Sequence, residues 1–325
     1  MISISVIIVT QGPKEHLIKC LSSLRQLPRD CELILIGNGV VLDESVKSSL
    51  NDYFTHTKVI ESQEKISPGE ARNLALAQVG DTEWIYFIDE KASMEEGYWE
   101  KVEPLLTKKE MDVIGGPSIA APDLGYFSEA VATVMTSPFC TGLTFSRHYP
   151  LGKKIQFASE ENLSLVNLWV RKNLFSLISF PGKYAKGEES LVLAKFSEKG
   201  FGLYYHPKLR VSRLWPTNLN EVLKESFLGG YYRSLLMKEK VDFSWSYYLP
   251  SVFILLHLSL FLDFTSFLEL AKIYVLLIAC ISLGISQRQG TLKTAPVVFF
   301  LHYVIVVTYG FGFMAARIYN PTKKS

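Results

Sequence analysis

From residue 1 to about 144, short runs of isoleucine, valine and leucine alternate with amphipathic stretches, and this alternation narrows the possible folds more than any other feature. Residues 3–10, 32–36, 58–61 and 83–88 read as strands. Between them, 15–26 places Leu17, Cys20, Leu21 and Leu24 on one helical face, and 41–53 holds a second helix. Ser67 and Pro68 open a third helix running to residue 78, a cap residue followed by proline in the first turn. Strands alternating with helices predict an α/β fold: a mainly parallel sheet flanked by helices on both faces. Ligands of such sheets bind beyond the carboxyl ends of the strands, where Asp89 and Glu90 stand.

Residues 115–216 are less regular. They hold Gly115-Gly116-Pro117, a short strand near 162–170, Gly187-Glu188-Glu189, and further short strands at 203–205 and 209–211. Residues 221–240 read as an amphipathic helix, with Tyr231, Tyr232, Arg233, Lys238 and Lys240 near the apolar tail. That composition suits a bilayer surface or a solvated helix packed on the domain. Three apolar segments follow, at 248–262, 264–285 and 295–318. Crossing a membrane takes about 20 apolar residues. The second and third segments are long enough; the first suits a tilted span, a re-entrant segment or an interfacial helix. Each alone could be a buried core helix, but three in succession favour C-terminal transmembrane helices. Arg288 and Lys293 favour a cytosolic second loop, and Arg317, Lys323 and Lys324 a cytosolic tail. Both hold only if the third segment does not fully cross.

Several function classes lose support. A net charge of +2 gives nucleic-acid binding no bulk electrostatic basis. Cys20, Cys31, Cys140 and Cys280 show neither metal-ligand spacing nor a disulfide framework, which suits a cytosolic face. The first apolar run is short and lacks a basic flank, unlike a signal peptide. Thr10-Gln11-Gly12-Pro13 is not a dinucleotide fingerprint, no Gly-x-Ser-x-Gly elbow occurs, and the six histidines are scattered. A transporter is disfavoured because the spans carry few polar residues, with Asp263 and Glu269 near segment ends.

Ser5-Val6-Ile7-Ile8-Val9-Thr10, Leu21-Ser22-Ser23-Leu24, Gly69-Glu70-Ala71-Arg72-Asn73, Tyr86-Phe87-Ile88-Asp89, Gly187-Glu188-Glu189 and the stretch from Pro207 to Arg213 occur in an order that resembles glycosyltransferase family 2, with its GT-A fold. The resemblance covers about residues 2–233, and the apolar tail is similar to that of members that build bacterial surface polysaccharides on lipid carriers. It implies a GT-A-like domain at 1–220, a juxtamembrane helix at 221–246 and a membrane domain at 247–325. It implies an inverting transfer from a nucleoside-diphosphate sugar to a lipid-linked or polysaccharide acceptor, at the cytosolic face of the inner membrane. A carboxylate removes the acceptor proton, and something cationic, usually Mg2+ or Mn2+ held by carboxylates, stabilises the leaving diphosphate.

By resemblance, Thr10 and Gln11 contact the nucleotide, and Asn38 stands near the family's base- or ribose-contacting aspartate; a plain turn is the competing reading. Arg72 and Asn73 match an Arg-Asn pair close to the nucleotide. Glu188-Glu189 matches a Glu-Asp pair whose second member is the catalytic base, here one methylene longer. Arg233 suits a donor or lipid-carrier phosphate, or a charge at the membrane surface. Trp169 and Trp215 suit a sugar site or the core. The acidic motif departs from the family. Asp89 keeps its first position, Glu90 is the remaining metal-ligand candidate, and Lys91 fills the third, where the family has aspartate. Arg213 falls where many relatives have a histidine. Three readings follow: Lys91 and Arg213 replace the metal's charge, a metal still binds through Asp89 and Glu90, or catalysis is lost. In the last case the chain is an inactive homologue acting as a membrane-bound binding or assembly subunit.

Overall fold

The computed structural model describes residues 2–50, 52–239, 245–260 and 264–318; Lys240, Asp263, Lys323 and Lys324, singled out above, lie outside them. The chain divides into two compact units, one of Met1–Ile119 with Tyr149–Arg213, the other of Ala120–His148 with the chain from Leu214 onward. This division differs from the boundaries at 220 and 246 read from the sequence. An excursion at 120–148 groups with the C-terminal helices, and a hydrophobicity profile does not show which segment such an excursion packs against.

The first unit is built on the strands β1 (Ile4–Thr10), β2 (Glu32–Asn38), β3 (His56–Ser62), β4 (Trp84–Ile88), β5 (Ala92–Met94), β6 (Val113–Gly115), β7 (Ser118–Ala120), β8 (Gln156–Phe157), β9 (Asn167–Arg171), β10 (Leu203–Tyr205) and β11 (Val211–Arg213). Eight form one sheet in the order β3-β2-β1-β4-β9-β6-β10-β8; β5, β11 and β7 form a second, small sheet. The four strands expected from the sequence, β1 to β4, pair in parallel. Beyond them the sheet is mixed, because β9 lies antiparallel between β4 and β6 and β8 lies antiparallel to β10.

The helices are α1 (Lys14–Ser23), α2 (Glu44–Leu50), α3 (Pro68–Leu76) and α4 (Tyr98–Leu106), then α5 (Tyr126–Met135) and α6 (Pro138–Thr141), α7 (Glu188–Glu198), α8 (Leu219–Leu236), α9 (Leu249–Leu260), α10 (Phe264–Arg288) and α11 (Ala295–Ile318). Side chains alternate across a strand. Val6, Ile8, Leu33, Leu35, Trp84 and Tyr86 therefore pack on Leu17 and Leu21 of α1 and on Tyr98 and Val102 of α4. Ile7, Ile34, Ile36, Ile85 and Phe87 pack on Ala71 and Ala75 of α3 and on Val192, Leu193 and Phe196 of α7. Each such aliphatic or aromatic side chain contributes roughly 1.5–3 kcal/mol by burial, so the parity of the strands fixes which helices share a face. The start of α3 is as expected and tighter: Glu70 N–H donates to Ser67 Oγ at 3.2 Å, and Ser67 N–H donates back to the Glu70 carboxylate at 3.0 Å.

The second unit is helical. Its helix α8 carries no single apolar stripe, and Val222, Gly230, Arg233, Ser234, Leu235 and Leu236 are its buried residues. It meets α11 backbone to backbone: a Cβ on Gly230 would lie 1.9 Å from the Tyr309 carbonyl oxygen, and one on Gly312 would lie 2.0 Å from that of Phe227. In the turn before α11, Lys293 pairs with Glu129 of α5 at 3.2 Å, and along α11 His302 Nε2 lies 2.8 Å from Ser137 Oγ. Among the described residues one helix, Leu292–Ile318, is long and apolar enough to cross a membrane by length and composition. The first expected segment forms the 12-residue α9. The second forms α10, with a Glu269–Lys272 ion pair of 2.7 Å near its start.

Candidate active site

The site is assembled in the first unit, at the carboxyl ends of the parallel strands. Glu90 follows β4 and is 8% exposed. Its Oε2 accepts hydrogen bonds from Thr10 Oγ1 and from the backbone N–H groups of Gln11 and Gly12, the latter two at 3.2 Å. A Cβ on Gly12 would meet Glu90 Oε1 at 2.7 Å, so glycine is required for this close approach. Glu90 thus holds the loop after β1 in place, and Thr10 is turned toward it.

Asp89 is oriented differently. Its Oδ1 accepts from the Lys91 backbone N–H at 2.8 Å, a local turn typical of aspartate. Its Oδ2 faces Arg213 Nη2 at 3.9 Å. The small sheet makes this possible, because β11 runs antiparallel to β5 with Arg213 opposite Ala92, the residue after Lys91. The Lys91 side chain is exposed. Two positions 124 apart in sequence, Asp89 and Arg213, therefore meet at one edge, where both are partly exposed.

A divalent cation fits this corner poorly. Such ions take several oxygen ligands. Here the Glu90 carboxylate is turned into the β1 loop, and the Asp89 oxygen that takes no backbone hydrogen bond faces a guanidinium. Among the described residues no group of three or more His, Cys, Asp or Glu is placed to hold a metal. The reading of Glu90 as a metal ligand conflicts with its three hydrogen bonds.

The second acidic pair opens α7. Gly187 caps the helix at φ +78°, a left-handed conformation that suits glycine. Glu188 and Glu189 occupy the first turn, where the helix dipole favours negative charge. Glu188 is buried and paired with Arg72 of α3, on the same face of the sheet. Burial pushes its carboxyl above the usual range, Arg72 pulls it back, and the charge of Glu189 adds to the rise. Glu189 stays half-buried.

The remaining sequence-derived candidates divide. Asn73 donates from Nδ2 to the Phe180 carbonyl at 2.8 Å and accepts from the Phe180 N–H at 3.0 Å. It positions the approach to Gly187. Asn38 is 1% exposed and does the same to Ile66, at 3.0 and 2.9 Å. Both ends of its amide hold the loop before α3, so the side chain expected at the base or ribose is turned into the protein. Arg233 belongs to the second unit and lies buried over the Tyr247 ring at 4.2 Å, which differs from an exposed phosphate ligand. Trp169 and Trp215 are buried; Trp169 stacks on Tyr86 at 4.3 Å. A hollow of about 860 Å³ lies at the opposite ends of the strands, near Asp81, Glu83 and Arg171. Its two cationic side chains are committed to the protein, Arg171 to Glu83 and to the carbonyls of Met111 and Lys108, and Lys172 to the Gly80 carbonyl.

One contributor had no signal in the sequence. Asn167 of β9 lies opposite Ile88, accepts from the Tyr86 and Tyr98 hydroxyls, and donates to the Leu209 carbonyl at 2.8 Å. It ties the strand leading to Asp89 to the loop leading to Arg213.

Residues 5–159 match the family described as glycosyl transferase family 2. The chain is a glycosyltransferase, and this stretch is its family 2 domain. No curated protein matches it. Among solved structures, the glycosyltransferase is similar to the mannosyltransferase PcManGT from Pyrobaculum calidifontis in complex with GDP-Man and Mn2+, at a TM-score of 0.58 and 14% identity over 99% of this chain and 88% of that one. It is also similar to S. aureus TarS 1–349 in complex with UDP-GlcNAc, at a TM-score of 0.51 and 13% identity over 98% of this chain and 92% of that one. At such identities the likeness is one of fold: the glycosyltransferase has a GT-A-like mixed α/β sheet flanked by helices.

Proposed function

We propose that this glycosyltransferase moves a sugar, with inversion, from a nucleoside-diphosphate sugar to a lipid-linked or polysaccharide acceptor at the cytosolic face of the inner membrane. The observation that carries the reading is the approach of Arg213 to Asp89, 3.9 Å apart at the carboxyl edge of the parallel strands. The donors named with the two similar structures, UDP-GlcNAc and GDP-Man, support a nucleotide sugar. The apolar helix Leu292–Ile318 supports a membrane setting.

In this reading the β1 loop, held by Glu90, receives the nucleotide, and the diphosphate meets Arg213 and Lys91. Arginine offers a planar two-pronged donor and lysine a point charge, so together they stabilise the negative charge that develops on the leaving group. Glu189, half-buried beside a neutralised Glu188–Arg72 pair, takes the proton of the acceptor hydroxyl. Asp89 orients Arg213.

Release of nucleoside diphosphate from a panel of UDP- and GDP-sugars tests this, with and without chelator. Turnover that persists in chelator is expected. Loss in chelator with recovery on adding Mn2+ or Mg2+ would reject the metal-free assignment. Failure of every nucleoside diphosphate to bind in calorimetry would reject the donor site.

A further inference from the structure

The helices α9, α10 and α11 carry exposed apolar residues in ordered stripes. On α10, Ile273, Val275, Leu276, Leu277 and Leu283 are exposed, with Cys280 among them, and the spacing of all but Val275 places them along one side of the helix. On α11, Phe300, Tyr303, Phe311 and Ile318 are exposed, while Val298, Leu301, His302, Ile305 and Phe313 face inward. Val252 and Leu255 extend the surface onto α9. Three rings join the stripes: Phe253 lies 4.8 Å from Tyr274, and Tyr303 lies 6.3 and 6.4 Å from the two.

Length argues against α10 crossing a bilayer. Residues 273–287 of α10, between Lys272 and Arg288, extend about 22 Å at 1.5 Å per residue. The hydrocarbon core measures about 30 Å. The longer α11 is held on its inner side by polar groups from the turn before it onward: Glu129 at Lys293, Ser137 at His302, and Lys238 Nζ donating to the Ala316 carbonyl at 3.4 Å. It is also locked to α8, which exposes Glu221, Lys224 and Glu225. If α11 crossed the bilayer, α8 and its charges would be carried into the hydrocarbon with it.

We infer that the joined stripes seat in one leaflet of an anionic bilayer, with the helices embedded from one side. This deepens the proposed membrane-face reading and rests on its membrane setting. A helix about 10–12 Å across fits within one leaflet. The charge agrees with the choice of lipid: from Trp245 to the end of the sequence there are six Lys or Arg, against Asp263 and Glu269. Among the six, Lys272, Arg288, Lys293 and Arg317 border the apolar stripes, where they meet anionic headgroups.

The test uses the full chain and sealed vesicles of phosphatidylcholine with phosphatidylglycerol. In a Cys140→Ser, Cys280→Ser background, which keeps the buried Cys20 and Cys31, one added cysteine at Lys293 or at Arg317, at the headgroup level, is probed with a membrane-impermeant maleimide. Both are expected to label from the outer side before detergent is added. Protection of one until the vesicles are opened would mean that α11 crosses, and would overturn the inference. Failure of the unmodified chain to float with these vesicles would overturn it as well. Leu276→Glu with Leu283→Glu is expected to reduce flotation at least tenfold while calorimetric binding of nucleoside diphosphate is unchanged; unreduced flotation counts against the stripes. Nucleotide binding is read in the same samples, so a failure of the membrane seat is distinguished from a failure of the donor site.

Discussion

The two acidic pairs, Asp89–Glu90 and Glu188–Glu189, divide their labour in the same way with different partners. In each pair one carboxylate is buried and fixed while its neighbour stays partly exposed. Glu90 is held by a hydroxyl and two backbone N–H groups, and Glu188 by a guanidinium. The first arrangement anchors a loop, and a neutral hydrogen-bonding substitute can replace much of it. The second neutralises a buried charge, and losing either partner leaves the other exposed to a desolvation cost. The comparison teaches that adjacent carboxylates in this fold are not equivalent ligands: one builds the wall of the site and the other faces its content.

Glu189→Gln provides the sharpest break. Turnover is expected to fall about 10²- to 10⁴-fold, with nucleoside diphosphate affinity and thermal stability held; full turnover would remove Glu189 as the base. Glu188→Gln should instead cost about 3 kcal/mol of stability, read from denaturant unfolding, because Arg72 loses its buried partner. A variant as stable as the parent would show that the two pairs are not built alike. Arg213→Ala is expected to weaken nucleoside diphosphate binding about 10- to 100-fold, the range of a hydrogen bond to a charged group, with Arg213→Lys in between; calorimetry decides. Thr10→Val removes one of three donors to Glu90 and should destabilise by about 1 kcal/mol. A larger loss, or a new dependence on added Mn2+, would mean that Glu90 does more than hold the loop.

The smallest effect concerns the loop that brings Arg213 to Asp89. Burial, aided by Lys208, pulls His206 below its usual range, and its Nδ1 accepts from the Lys208 backbone N–H at 3.1 Å. The fold therefore favours the neutral ring. The unfolded chain takes up the proton as pH falls through about 6.5, so the contribution is present above that value and is lost as pH falls toward the lowered folded value. A urea midpoint that drops over this window, with a shallower drop in His206→Gln, is the expected result.

The parallel half of the sheet was legible because period-two apolar runs and helix caps are local signals. The ends of β1 to β4 fell within a few residues of expectation, and so did the Ser67–Pro68 start of α3. The Arg213–Asp89 approach was legible from the order of motifs. Other roles depend on distant partners. Nothing local to Asn38 shows that Ile66 will claim its amide, and nothing near Glu90 shows that the β1 loop will turn three donors toward it. The antiparallel direction of β9, itself expected as a short strand near 162–170, and the packing of the excursion at 120–148 escaped for the same reason: each is defined by what the segment packs against.

The glycine crossing of α8 and α11 has a consequence for how this chain can vary. Each added residue would turn the following part of a helix by about 100° and advance it by 1.5 Å. An insertion between Phe227 and Gly230 would carry one contact point out of phase with the other and drive a side chain into the opposing backbone. The crossing thus works as a vernier, accepting sequence drift on the outward sides of both helices while refusing any change in the count of residues between its marks.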